Sequence, residues 1–257
     1  HRRSDQHANP ASRALDTRLT AVFRVIQQTR EAIEQARARG IARGYRYRIS
    51  LADGVHWFEM SVARKRGSDR YVVLVRDITE LNALAFHDPL TGLPNRRLLF
   101  DRIEQAVLRQ TREPSWVALL FVDLDDFKRV NDTAGHAAGD RVLVELARRM
   151  RAAVRASDPV GRLGGDEFLV LLTDLGDDRQ QAQRTVRRVA AQLRGSLAAP
   201  VGVDGGRVCV SASIGAVMFR GVQPVERVLS MADQLMYRAK ARGKNTVTVR
   251  LLSPVVA

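Results

Sequence analysis

Residues 116–122, Trp-Val-Ala-Leu-Leu-Phe-Val, form an apolar run of seven that turns acidic at the next position. A strand with one solvent-facing side alternates apolar and polar residues, whereas an unbroken run belongs to a strand covered on both faces. The run falls far short of the ~18 residues that a membrane span needs. Its flanks point to covering helices: Leu99, Ile103 and Val107 recur at four-residue spacing before it, and Val142, Leu146, Met150 and Val154 after it. Helices are therefore expected over 95–111, 139–156, 178–198 and 224–241. Strands are expected over 116–122, 159–163, 167–172, 200–203, 207–219 and 246–251. Helices and strands alternate with hairpins among them, the pattern of an α/β (α+β) domain of about 170 residues.

The first 79 residues read differently. Positions 1–20 are polar without a clear period, and Leu19, Val22, Val25/Ile26, Thr29 and Ile33 then fall on one helical stripe. Three alternating stretches follow (44–51, 56–64 and 71–79), separated by turn residues around Asp53-Gly54 and Arg66–Asp69, as in an antiparallel meander. One helix and three strands close little core, so this region is expected to be part of a domain. The expected organisation is 1–79 as an amino-terminal unit, 80–88 as a helical linker and 89–257 as the α/β domain.

Composition narrows the classes further. Cys209 is the single cysteine, which excludes an intramolecular disulfide or a cysteine-based zinc cluster and fits a reducing, cytoplasmic setting. No secretory signal is expected at the amino terminus and no membrane span in this chain, while an upstream membrane tether is left open. The net charge is +14, and of the 42 basic residues only Lys65, Lys128, Lys240 and Lys244 are lysines. The charge is dispersed, with 16 basic and 8 acidic groups in residues 1–79 and 26 and 20 thereafter. No run of five or more basic residues exists, so a nucleic-acid partner is not expected.

Two acidic clusters carry the chemistry. Asp123, Asp125 and Asp126 stand where the buried strand emerges, and the two-residue strand period puts Asp123 and Asp125 on one face if the strand continues. In 162–172, Gly164 and Gly165 can take the positive φ of a tight hairpin turn, and Asp166 and Glu167 feed directly into an apolar strand. Acids at two strand ends of one sheet are suited to two metal ions about 3.5–4 Å apart, the arrangement for in-line attack at phosphorus. Lys128, Lys240 and Lys244 offer counter-charge for phosphates. One cluster alone reads equally well as a solvated turn; the second shifts the balance toward a site. Arg162 either balances the acidic hairpin or serves the site; Phe127, Phe168 and Tyr237 read as core.

The ordered motifs DPLTGLPNR, FVDLDDFKRVND, GHAAGD, RLGGDEF, SASIGA and ADQLMYRAKARGKN make residues 80–251 resemble the GGDEF domain of bacterial diguanylate cyclases. The resemblance implies a ferredoxin-like, palm-type mixed sheet and condensation of two GTP into cyclic di-GMP. Asp123, the carbonyl of Leu124, Asp166 and Glu167 would hold two Mg²⁺ ions per site (Mn²⁺ being an alternative), with Asp166 also taking the proton of the attacking 3′-hydroxyl. Asn131 and Asp140 would read the guanine edge, with His136 as the neighbouring substrate contact. The backbone of Asp126, Phe127, Gly164 and Gly165, with Lys128, Lys240 and Lys244, would hold the phosphates. Lys244 stands where the family commonly has arginine, and it keeps the charge without the bidentate fork, so a weaker grip is expected.

Arg155 and Asp158 form an R-x-x-D that resembles the family's inhibitory product site, with Arg188 as a second arginine. Residues 44–79 resemble the second half of a PAS sensor domain. A homodimer with one GTP per protomer follows from the family's chemistry. No EAL or HD-type hydrolase segment is present, so degradation of the product is not expected of this chain. The rival reading is a silent module that senses GTP or cyclic di-GMP, and a hybrid cyclic dinucleotide product is not separable by these motifs.

Overall fold

The computed structural model describes residues 10–51 and 54–253, and divides into two units, residues 1–85 and 86–257. In the first, helix α1 (Pro10–Arg39) is followed by strands β1 (Ile41–Leu51), β2 (Gly54–Arg64) and β3 (Tyr71–Asp77), paired antiparallel in that order. Asp53, half of the expected first turn, lies outside the described residues. The helix packs on the sheet through Ala32 and Ala36, against Ala42, Tyr47, Met60 and Val62. The buried side of α1 thus runs through small residues, which let helix and sheet approach, and Ile26 is left 60% exposed. The described part of α1 begins at Pro10, well before the periodic stretch. Helix α2 (Thr79–Phe86) comes next and ends short of His87, which bridges to Pro94.

The second unit is built on a five-stranded sheet. Its members are β4 (Val117–Leu124), β5 (Val160–Gly164), β6 (Glu167–Leu172), β9 (Ala212–Phe219) and β10 (Val247–Leu251), in the order β10-β9-β4-β6-β5. Only the β9–β10 pair is parallel. The apolar run is the central strand, and every residue of β4 is buried. Its alternate residues supply two cores. Ala118, Leu120, Val122 and Leu124 face helices α5 (His136–Ala153) and α6 (Arg179–Ala198). Val117, Leu119 and Phe121 face α3 (Arg96–Arg109) and α7 (Val225–Ala241). This is the α/β mixed sheet, helices on both faces, that the pattern implied.

Close approach on the second face depends on one glycine. A Cβ on Gly215 would overlap the Met236 amide nitrogen and the Ala232 carbonyl oxygen, backbone that cannot step aside. Helix α7 therefore lies directly on β9, and this holds Lys240 in its last turn over the strand ends.

Three details depart from the sequence-based reading. The stretch 207–219 is two strands, β9 and a short β8 (Gly206–Val208) that pairs with β7 (Val201–Val203) as a separate hairpin. A two-turn helix, α4 (Phe127–Ala134), precedes α5, whose start moves forward to His136. Tyr237 is 71% exposed: the buried stripe of α7 is Val228, Ala232, Leu235, Met236 and Ala239, and position 237 points away from it.

Candidate active site

Register brings the two acidic clusters together. Asp123 on β4 lies directly opposite Glu167 on β6, and the N–H of Leu124 donates to the Asp166 carbonyl at 3.2 Å. Gly164 pairs with Glu167, so Gly165 and Asp166 form the tip of the hairpin; φ is 148° at Gly164 and 52° at Gly165, values that suit glycine. Alternation places Asp123 on the Phe121 face of β4 and Glu167 on the Leu169 face of β6, the side covered by α3 and α7. Two acids directly opposite each other in a sheet repel. The cation supplied against that repulsion is Lys240, whose Nζ lies 2.7 Å from Asp123 Oδ1.

Asp123 is 5% exposed, and its carboxyl is pushed up to about 6. Burial is the main cause, aided by Asp166 and Glu167 and opposed by Lys240. Among the described residues, the Lys240 ammonium is the only partner of this buried oxygen and meets it as an ion pair, with no further donor. Asp123, close enough to Asp166 and Glu167 to feel their charges, brings hard carboxylate oxygens to one end of the sheet, donor chemistry of the kind that suits Mg²⁺.

Asp125 has a different role from the one the strand period suggested. Strand β4 ends at Leu124, and the Asp125 carboxylate turns to accept from Ser211 Oγ and Ser213 Oγ, both at 2.6 Å, and from the Asn245 N–H at 2.9 Å. It does not share a metal-facing side with Asp123. It ties the end of β4 to β9 and to the turn after α7. Beside it, Asp126 is left-handed (φ 54°) and opens α4, and its carboxylate accepts from Lys244 Nζ at 2.7 Å.

The guanine-reading candidates lie on α4 and α5. Phe127 is buried beneath them, while Lys128, His136 and Asp140 are exposed and Asn131 is half-buried. The residue that positions Asn131 is one the sequence reading passed over. Gly139 lies so close that a Cβ there would overlap Asn131 Oδ1 and touch Phe127 Cζ at 3.4 Å. On the guanine-contact reading of Asn131 that the resemblance implies, Gly139→Ala, which would push its amide aside, is expected to raise the KM for GTP about tenfold, with kcat within about twofold and little change in melting temperature. Steady-state kinetics and a melting curve check both halves.

Arg162 braces the hairpin that carries the acids. Its Nε and Nη2 donate to the Gly165 carbonyl at 2.9 and 2.7 Å, and its Nη1 reaches both Asp88 carboxylate oxygens at 3.1 and 3.2 Å. Burial works against the Asp88 charge, but hydrogen bonds from Thr91 and the charge of Arg162 outweigh it and hold this carboxyl below its ordinary value. The hairpin tip is thereby clamped to the turn at 88–95. Arg162→Lys keeps the charge and loses the fork, so turnover is expected to fall about tenfold with the protein still folded; unchanged turnover would show that the clamp does not position the tip.

The family comparison decides what this arrangement belongs to. The family model "Diguanylate cyclase, GGDEF domain" matches residues 85–246. The chain belongs to the GGDEF family. Among curated GGDEF relatives, the bifunctional diguanylate cyclase/cyclic di-GMP phosphodiesterase MucR of Pseudomonas aeruginosa is 43% identical over 175 residues, 67% of this chain and 24% of that protein. Diguanylate cyclase DgcP of the same organism is 37% identical over 211 residues, 76% of this chain and 30% of that protein. The chain thus spans less than a third of the length of these relatives. Among solved structures, the isolated GGDEF domain of TpbB (YfiN) from P. aeruginosa superposes with a TM-score of 0.58 at 38% identity, covering 63% of this chain and 93% of that one. Diguanylate cyclase SiaD from P. aeruginosa, in complex with its activator SiaC, gives 0.59 at 38% identity, covering 66% of this chain and 64% of that one.

Within this GGDEF domain the R-x-x-D turn is strongly ordered. Asp158 is buried; its carboxylate accepts from the N–H groups of Arg155 and Thr173, both at 3.3 Å. Arg151 reinforces the turn by donating to the carbonyls of Arg155, Ala156 and Asp158. The Arg155 side chain is exposed, as is Arg188 on α6; no described hydrogen bond or ion pair joins Arg188 to Arg155 or Asp158.

Proposed function

We propose that the protein is a diguanylate cyclase that condenses two GTP molecules into cyclic di-GMP and two pyrophosphates. The observation that carries this reading is the register that puts Asp123 opposite Glu167, with Asp166 bonded to Leu124, in a GGDEF chain that retains all three acids. Asp123, Asp166, Glu167 and the Leu124 carbonyl would hold two Mg²⁺ ions, or Mn²⁺ in their place. When bound, such ions polarise the α-phosphate and lower the pKa of the attacking hydroxyl.

The chain's own groups do the rest. Asn131, with both amide donor and acceptor, Asp140 as acceptor and His136 orient the guanine. Lys128, Lys240, Lys244 and the amides of Asp126 and Phe127 at the start of α4 take up phosphate charge, and the bare Gly164-Gly165 tip lets phosphates approach the backbone. Asp166 accepts the proton as the 3′-oxygen of one GTP bonds to the α-phosphorus of the other, the bond to the β-phosphate oxygen breaks, and pyrophosphate leaves. Two such transfers close the ring. Each GTP needs a partner, so two protomers facing each other form the working unit.

Arg155 and Arg188 would hold cyclic di-GMP at an inhibitory site, with Asp158 shaping the turn that presents Arg155. The amino-terminal unit, with its PAS-like meander, would set the dimer and carry the regulatory signal.

Incubation of purified, nucleotide-stripped protein with GTP and Mg²⁺, resolved by chromatography, tests the reading. Cyclic di-GMP is expected. GTP binding without any product, at concentrations where the protein is dimeric, would replace the enzyme with a nucleotide-sensing module.

A further inference from the structure

The two lysines nearest the acids are already spent on them. Lys240 at the end of α7 stands on Asp123, and Lys244 in the following turn donates to Asp126, each at 2.7 Å. Asp123 feels the charges of Asp166 and Glu167. Nevertheless, among the described residues no three acidic, histidine or cysteine side chains are gathered closely enough to hold an ion. The cation position beside Asp123 is filled from within the chain. The two pairs differ in kind: Asp123 is buried and Lys240 about one-third exposed, whereas Lys244 and Asp126 are both exposed, and such a surface pair is worth little.

We propose that Lys240 is a built-in stand-in for the metal: its ammonium neutralises Asp123 while the site holds no nucleotide, and it moves to phosphate when metal and nucleotide arrive together. This rests on the metal-site reading above and goes beyond it. A divalent ion arriving alone must either displace an ammonium from a buried carboxylate or sit beside it, and both are costly at this range. A triphosphate removes that cost by offering Lys240 another anion. Metal and nucleotide affinities are then coupled through one side chain, and the coupling is reciprocal. Restricting metal uptake to the nucleotide complex also keeps Asp123 from being left as a bare buried charge.

The test is Mn²⁺ binding to the full chain without turnover, followed by electron paramagnetic resonance of the free ion. In the wild type, a non-hydrolysable GTP analogue is expected to tighten Mn²⁺ binding by about tenfold or more. Lys240→Met, nearly the same size and uncharged, is expected to bind Mn²⁺ alone about tenfold tighter than wild type, and to lose most of the effect of the analogue. Equal or weaker Mn²⁺ binding by Lys240→Met would overturn the proposal. So would a wild type whose Mn²⁺ affinity ignores the analogue, an arm that needs no variant to fold. Failure of the underlying metal reading looks different: no saturable Mn²⁺ site in the presence of analogue, or one that Asp123→Asn leaves intact.

Discussion

Asparagine at position 123 is expected to lower turnover by on the order of 10³-fold, about 4 kcal/mol of transition-state stabilisation, while making the metal-free protein more heat-stable near neutral pH. The two effects have one cause. Asp123 is an acid placed where its charge is disfavoured: buried, opposite Glu167 and close to Asp166. Its carboxyl titrates near 3.8 in the unfolded chain and about 6 in the folded one. Between those values the folded protein holds a proton that the unfolded chain has released, so stability declines as pH rises through this window and the full penalty applies above it. Asparagine has the same shape and no charge to bury. A gain of about 2–4 °C in melting temperature is expected at pH 7.5 and none near pH 4. Lys240, deprived of its partner, is exposed enough to reach water. A variant that melts lower than wild type at pH 7.5 would show that the Lys240 pair outweighs the burial of the acid.

Two residues along, removing a carboxylate is expected to do the opposite. Asp125 is as buried as Asp123, at 6% exposed, but its carboxylate satisfies Ser211 Oγ, Ser213 Oγ and the Asn245 N–H. Alanine removes the acceptor and leaves three donors from two distant segments facing a small void. At roughly 1 kcal/mol or more for each stranded donor, Asp125→Ala should cost about 3 kcal/mol, a drop in melting temperature of roughly 6–12 °C. Activity would fall because the turn from β4 into α4 loses its side-chain ties to β9 and to the turn after α7, although the backbone pairing of Asp123 with Ser213 remains. Thermal denaturation distinguishes the two acids: the Asp123 variant melts higher and the Asp125 variant lower. A melting temperature for Asp125→Ala within about 2 °C of wild type would mean that water replaces the lost acceptor.

The contrast between these acids marks how far the sequence can be read. The apolar run at 116–122 is local and unambiguous, and it is the central strand. The Gly-Gly pair announces the hairpin whose tip carries Asp166. The fate of Asp125, by contrast, depends on serines 86 and 88 positions later, which no periodicity connects to it. The Arg162 clamp spans 74 positions to Asp88. The nearness of Gly139 to Asn131 exists only once α4 and α5 are folded against each other. Helix α4 was missed for a local reason: in Phe-Lys-Arg-Val-Asn-Asp-Thr-Ala only Phe127 is buried, too little to display a helical stripe. Tyr237 shows the reverse error, since an aromatic ring on an amphipathic helix was read as core although its position lies off the buried stripe.

On the reading proposed above, the Asp123–Asp166–Glu167 cluster drives condensation of two GTP molecules. The most direct measurement is the stoichiometry of the products in one reaction, pyrophosphate and cyclic di-GMP together, for wild type and for Asp166→Ala. The account predicts two pyrophosphates for each cyclic di-GMP in the wild type, and neither product above background from the folded variant. Cyclic di-GMP formed by Asp166→Ala at the wild-type rate, or pyrophosphate released by the wild type without a cyclic dinucleotide, would contradict it.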